Sequence, residues 1–113
     1  MTFDEYQAAA GTTAAYPDKG NNLLYPALGL AGETGETVDK IKKLWRNKGV
    51  TGIQALEPAD RQELLKELGD VLWYCAALAS ELQEPLGEVA ALNIQKLADR
   101  KARNVIKSEG DNR

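Results

Sequence analysis

Apolar residues along the chain recur at intervals of three and four, and sustained alternation of β-branched residues is nearly absent. That pattern predicts helices rather than a sheet. A first helix is expected over residues 3–15, opened by Thr2 and Glu5 in capping-box spacing. The turn "YPDKGNN" separates it from a second helix over residues 22–46, with Gly49 placed to cap its end. The loop "GVTGIQALEPAD" leads to Asp60, which with Glu63 forms another candidate capping box for a third helix over residues 61–82. Pro85 suits the first turn of a fourth helix ending near residue 104. The tail "KSEGDNR", residues 107–113, is expected to fray, which leaves one domain over residues 1–106.

Within the second helix, Leu24, Ala27, Leu28, Ala31, Gly35, Val38, Ile41 and Trp45 form one stripe at the helical period and are the expected core face. Glu33, Glu36, Lys40 and Lys43 lie opposite. Glycines at 29, 32 and 35 weaken a helix and suggest close approach of another backbone or of a ligand. In the third helix Leu64, Leu65, Leu68, Val71, Leu72, Cys75 and Ala79 form the expected core stripe. Trp73, Ala76 and Ala77 make its middle apolar nearly all round, which implies burial on several sides.

Composition narrows the chemistry. With 113 residues, 43% hydrophobic and 27% charged, the chain suits one domain with a modest core. The net charge of -3, with basic residues interspersed among acids, argues against a nucleic-acid polymer as partner. The longest apolar run, "VLWYCAALA", is too short to span a bilayer, and the N-terminal stretch lacks the pattern of a signal peptide. The single cysteine, Cys75, lies in that run, and a cytoplasmic protein with an inert thiol is the expectation. No histidine is present, so Ser-His-Asp and Cys-His nucleophile systems, His/Cys zinc sites and Glu-x-x-His di-iron sites are all excluded. Chemistry must rest on carboxylates, Lys/Arg, Tyr or a hard metal ion.

Two helices each carry an acidic pair three residues apart: Glu33/Glu36 in "AGETGETVDK" and Glu67/Asp70 in "KELGD". Residues at that spacing share a helix face, so antiparallel packing can bring four carboxylates together. Anions gathered in a partly buried place raise one another's pKa, and a divalent cation relieves the conflict. Mg²⁺ takes oxygen ligands, keeps waters and commonly shares substrate phosphates. Acidic pairs on helices are also ordinary solvated surface, and spacing alone does not separate the two readings.

The segments "GLAGETGETVDKIKK", "LLKELGDVLWYCAALA" and "NIQKLADR", taken in order, resemble the MazG-type nucleotide pyrophosphohydrolases of the all-α NTP pyrophosphatase superfamily. The resemblance spans about residues 22–103. It implies an all-α four-helix bundle that forms a homodimer, or a homotetramer as a dimer of dimers. It also implies cleavage of nucleoside triphosphates between the α and β phosphates with Mg²⁺, or sometimes Mn²⁺. The resemblance assigns metal binding and catalysis to Glu33, Glu36, Glu67 and Asp70, with the alternative that one glutamate serves the attacking water instead. In relatives, polar and basic positions equivalent to Asn93, Lys96 and Arg100 contact phosphates; a solvated rim is the alternative. Lys40 and Lys43 either neutralise phosphate or pair with Glu36. Tyr74 either donates its hydroxyl to the ligand or sits in the core, and Trp73 either stacks on a base or packs in the dimer. Base recognition is expected from Tyr6, Gln7 and loops. "GETGE" replaces the doubled glutamate of the longer MazG enzymes, which marks the compact single-domain type. Phosphoribosyl-ATP pyrophosphatases and dimeric dUTPases share the carboxylate logic, so the base stays open. The readings carried forward are thus nucleotide-pool housecleaning, a related phosphoribosyl-nucleotide or dUTP/dCTP-like substrate, and a non-catalytic nucleotide-binding module.

Overall fold

A computed structural model describes residues 1–107 and 109–110. Four α-helices follow in order: α1 (Phe3–Gly11), α2 (Leu24–Lys48), α3 (Pro58–Glu81) and α4 (Leu86–Ala102). A single 3-10 turn, Ile53–Ala55, interrupts the α2–α3 loop, and no strand occurs among the described residues. The all-α expectation holds. Part of the expected C-terminal tail lies outside the described residues, namely Ser108 and residues 111–113.

Local signals set several boundaries. Thr2 and Glu5 form the reciprocal capping box that opens α1, each accepting from the other's backbone N–H. Gly49 closes α2 with φ 67°, a left-handed conformation that glycine adopts without steric cost. Other boundaries differ. α1 ends at Gly11, where Thr12 and Thr13 bond back to the last carbonyls and stop propagation before residue 15. α3 begins at Pro58, because proline fits the first helical position. Asp60 therefore lies inside the first turn of α3 and pairs with Lys48 at 2.8 Å instead of capping the helix.

α3 is the hub: α2 and α1 pack along it, α4 packs on α1 and α3, and α2 makes no contact with α4. The small core joins Ala76, Ala79 and Leu86, flanked by Tyr6 and Leu72. Three polar clasps lock this corner. The Gln7 amide donates to Ser80 Oγ and the Glu84 carbonyl, both at 3.0 Å, and accepts from Leu86 N–H at 2.8 Å. Asp4 caps α4 by accepting from Gly87 N–H. Glu81 gathers the α1–α2 loop by accepting from the Tyr16 hydroxyl and from the backbone N–H groups of Gly20 and Asn22.

The expected core stripe of α2 is the main correction. All eight of its residues are exposed, including Leu24 at 67% and Trp45 at 61%. The sheltered side instead carries Pro26, Gly29, Leu30, Glu33, Thr37, Lys40 and Leu44. Helical periodicity is present, but the chain itself supplies nothing to cover the more apolar side. Leu65 and Leu68 of α3, also expected in the core, are exposed for the same reason. The radius of gyration, 16.9 Å, is accordingly large beside the ~13 Å usual for a compact domain of ~100 residues.

Candidate active site

The sheltered face of α2 meets α3 through acids. Oxygen atoms of Glu33, Glu67 and Asp70 all lie within 4.8 Å of one another. Glu67 and Asp70 are three apart on α3, and Glu33 reaches them from α2. Burial pushes the Glu33 carboxyl above its ordinary range, and the charges of Glu36 and Asp70 push it further. Glu36 is exposed and stands beside Glu33 rather than within the three-residue cluster.

Glu67 is largely sheltered, with its side chain 14% exposed. One oxygen, Oε1, accepts from Lys40 Nζ at 2.5 Å across the helix–helix seam. The other, Oε2, is buried and has no hydrogen-bond partner. A buried carboxylate oxygen left unsatisfied carries a desolvation cost that folding alone does not offset. Its position beside two further carboxylates suits a hard cation, and every donor in the set is oxygen. These residues fit a divalent metal.

The lysines divide. Lys40 bonds Glu67, which holds its ammonium pKa above the usual value. Lys43 pairs with Asp39 at 2.7 Å, and Asp39, held by Lys42 and Lys43, drops to about 2. Neither pairs with Glu36. Both line a hollow of about 250 Å³ between the end of α2 and the start of α3, together with Asn47, Lys48, Asp60 and Glu63.

On the other side of the acids, Glu33, Asp70, Trp73 and Tyr74 line an open cavity of about 300 Å³. An aromatic series leads into it: Tyr16 stacks on Tyr25 at 4.8 Å, Tyr25 lies 6.4 Å from Tyr74, and Tyr74 meets Trp73 edge-on at 4.9 Å. Gly29 permits this arrangement, since a Cβ there would lie 2.1 Å from the Tyr74 ring. Burial raises the Tyr74 hydroxyl pKa, with Tyr25, Glu33 and Asp70 adding to it, so the group stays a proton donor.

The α4 residues stand apart. Asn93 and Lys96 line an outer hollow with Val89 and Leu92, and α4 does not touch α2. Arg100, expected on the same polar side, is buried, at 3% exposure. Within one chain these three are not brought to the carboxylates. Gln7 is likewise withdrawn from base recognition, since its amide is engaged by Ser80, Glu84 and Leu86. Tyr6 flanks the core. Trp73, three residues from Asp70 on α3, lines the cavity with the acids, and the same spacing is visible in the sequence.

An all-helical fold with a carboxylate cluster across two long helices defines a class of helical proteins with an all-oxygen site suited to a divalent cation. Residues 23–105 match the MazG nucleotide pyrophosphohydrolase domain, and the chain belongs to that family. Nucleotide pyrophosphohydrolysis is therefore its general activity. It is 45% identical to the "Gene 37 protein" of Mycobacterium phage L5 over the whole of both chains. It is 36% identical to human "dCTP pyrophosphatase 1" over 66% of this chain and 42% of that protein's length. No solved structure gives a significant match.

Proposed function

We propose that the chain is a Mg²⁺-dependent nucleoside triphosphate pyrophosphohydrolase that releases nucleoside monophosphate and pyrophosphate. The observation that carries this reading is the buried, unpartnered Oε2 of Glu67 beside Glu33 and Asp70. Glu33, Glu67 and Asp70 would hold the ion. The ion would supply Lewis-acid polarisation of the phosphates and a more acidic water.

The chain's own groups do the rest. In place of a ligand role, Glu36, exposed beside Glu33 and outside the three-residue cluster, is the glutamate placed to accept the proton of the attacking water. Lys40, bonded to Glu67, stands beside the acids and Lys43 lines the adjoining hollow, both with ammonium groups for the phosphates that leave. Tyr74 offers a hydroxyl from the cavity wall.

The uncovered apolar stripe of α2 supports a homodimer, in which Leu28, Val38 and Trp45 would be buried against a second copy. A dimer is also the means by which Asn93 and Lys96 would reach a site. The 36% identity to a protein named for dCTP adds a dCTP-like nucleotide to the substrates of a housecleaning role, without making that base a requirement.

Incubation with Mg²⁺ and a panel of ribo- and deoxynucleoside triphosphates tests the reaction. Monophosphate with pyrophosphate is the expected product pair. Diphosphate with orthophosphate would place the cleavage at the wrong bond, and turnover without added divalent ion would contradict the metal.

A further inference from the structure

We propose that the nucleobase of the substrate stacks on Trp73, so that π-contact rather than base-edge hydrogen bonding holds it. This inference rests on the nucleotide reading of the acidic site. Asp70, Trp73 and Tyr74 share one face of α3 at spacings of three and four, so the indole stands one turn from the carboxylate. One turn is about 5 Å along the axis, an offset that a ribose between phosphate and base can bridge. Glu33 and Asp70 form the acidic end of the 300 Å³ cavity, and Trp73 and Tyr74 form its aromatic end.

Trp73 is fixed for this use. Its Nε1–H donates to Thr13 Oγ1 at 3.0 Å, so its only polar atom is already satisfied. Besides the open cavity, Trp73 also lines a crevice of about 30 Å³ under α1, too small for a base. Tyr74 braces it edge-on at 79°. With Nε1–H engaged, the indole has only its ring carbons and π-system to offer a ligand in the larger cavity. The cavity offers little else that could read a base edge: two of its four lining residues are the carboxylates facing the phosphates, and the Tyr74 hydroxyl is the remaining polar group. The nearby amide of Gln7 is consumed structurally. Stacking tolerates every base, because each has a π-face.

The test uses full-length protein carrying Trp45→Phe, which leaves Trp73 as the only tryptophan. It is titrated with Mg²⁺ and α,β-methylene nucleoside triphosphates of a purine and a pyrimidine, followed by fluorescence and calorimetry. Inorganic tripolyphosphate is the baseless probe. Both nucleotides should quench Trp73, and tripolyphosphate should bind without quenching. Trp73→Leu should weaken both nucleotides by roughly 5- to 100-fold and leave tripolyphosphate unchanged, with Trp73→Phe intermediate. Nucleotide binding without quenching, and unaltered in Trp73→Leu, would overturn the stack while leaving the pyrophosphohydrolase reading intact. Equal loss of tripolyphosphate binding in Trp73→Leu and Trp73→Phe would make Trp73 a structural residue and also overturn it. Failure of nucleotide and tripolyphosphate alike to bind the wild-type chain would overturn both readings.

Discussion

The corner where α1, α3 and α4 meet and the seam between α2 and α3 are both rich in polar groups, yet they treat them differently. In the corner, Gln7, Asp4 and Glu81 each have protein partners. In the seam, three carboxylates crowd within 4.8 Å, a single lysine bonds one of them, and a buried oxygen is left over. Matched polar groups position helices, whereas unmatched ones mark where something else binds. The apolar side of α2 repeats the lesson, since its exposed Leu28, Val38 and Trp45 lack a partner in the chain.

Substitutions should separate the two regions. The largest effect is expected for Asp70→Asn, which should reduce turnover by on the order of 100-fold or more, since even partners of metal ligands cost 10- to 100-fold. Circular dichroism and the thermal midpoint should stay at wild-type values or rise, because a like charge has been removed. Glu36→Gln should also reduce turnover strongly with the helices intact, and near-wild-type rates in both variants would sink the assignment.

Gln7→Ala should do the reverse. Losing three hydrogen bonds at the corner should destabilise the fold by about 1–3 kcal/mol in urea titration, with KM for nucleotide little changed in the folded protein. A selective rise in KM for one base, at unchanged stability, would return Gln7 to the binding site.

Gly29→Ala lies between the regions. Its Cβ must displace the Tyr74 ring, costing about 1–3 kcal/mol as overpacking does, and a chain of unaltered stability would show that the ring yields freely.

The smallest effect concerns pH. The Tyr16 hydroxyl and two backbone N–H groups hold Glu81 below its ordinary range. A depressed carboxylate contributes stability above its unfolded pKa and loses it as pH falls through the folded one. Tyr16, raised to about 12 by burial and by Glu81, acts at the other end. Its contribution is complete below the unfolded tyrosine value and is lost as pH rises from there through about 12. Glu81→Gln should therefore flatten the thermal midpoint below pH 5 and above pH 10, and identical profiles would mean that the clasp carries no linkage.

How much of this was legible follows from range. The capping box at Thr2 and Glu5 and the Gly49 cap act within a turn, and the sequence pattern sufficed for both. The acidic pairs were legible because a spacing of three fixes their shared face. Gln7 was not, because its partners lie 73 to 79 residues away. The direction of α2 was not legible either, since periodicity reports that one side is apolar but not what covers it. Trp73 was ambiguous because an aromatic residue beside a buried run serves core and cavity equally well.

The most direct test of the central claim is Mn²⁺ binding, followed by electron paramagnetic resonance, in wild type and in Glu67→Gln without nucleotide. The account predicts saturable binding in the wild type and its loss in Glu67→Gln, with the fold retained. Equal binding by both proteins would contradict it, and the unmatched oxygen of Glu67 would then have no part in holding a cation.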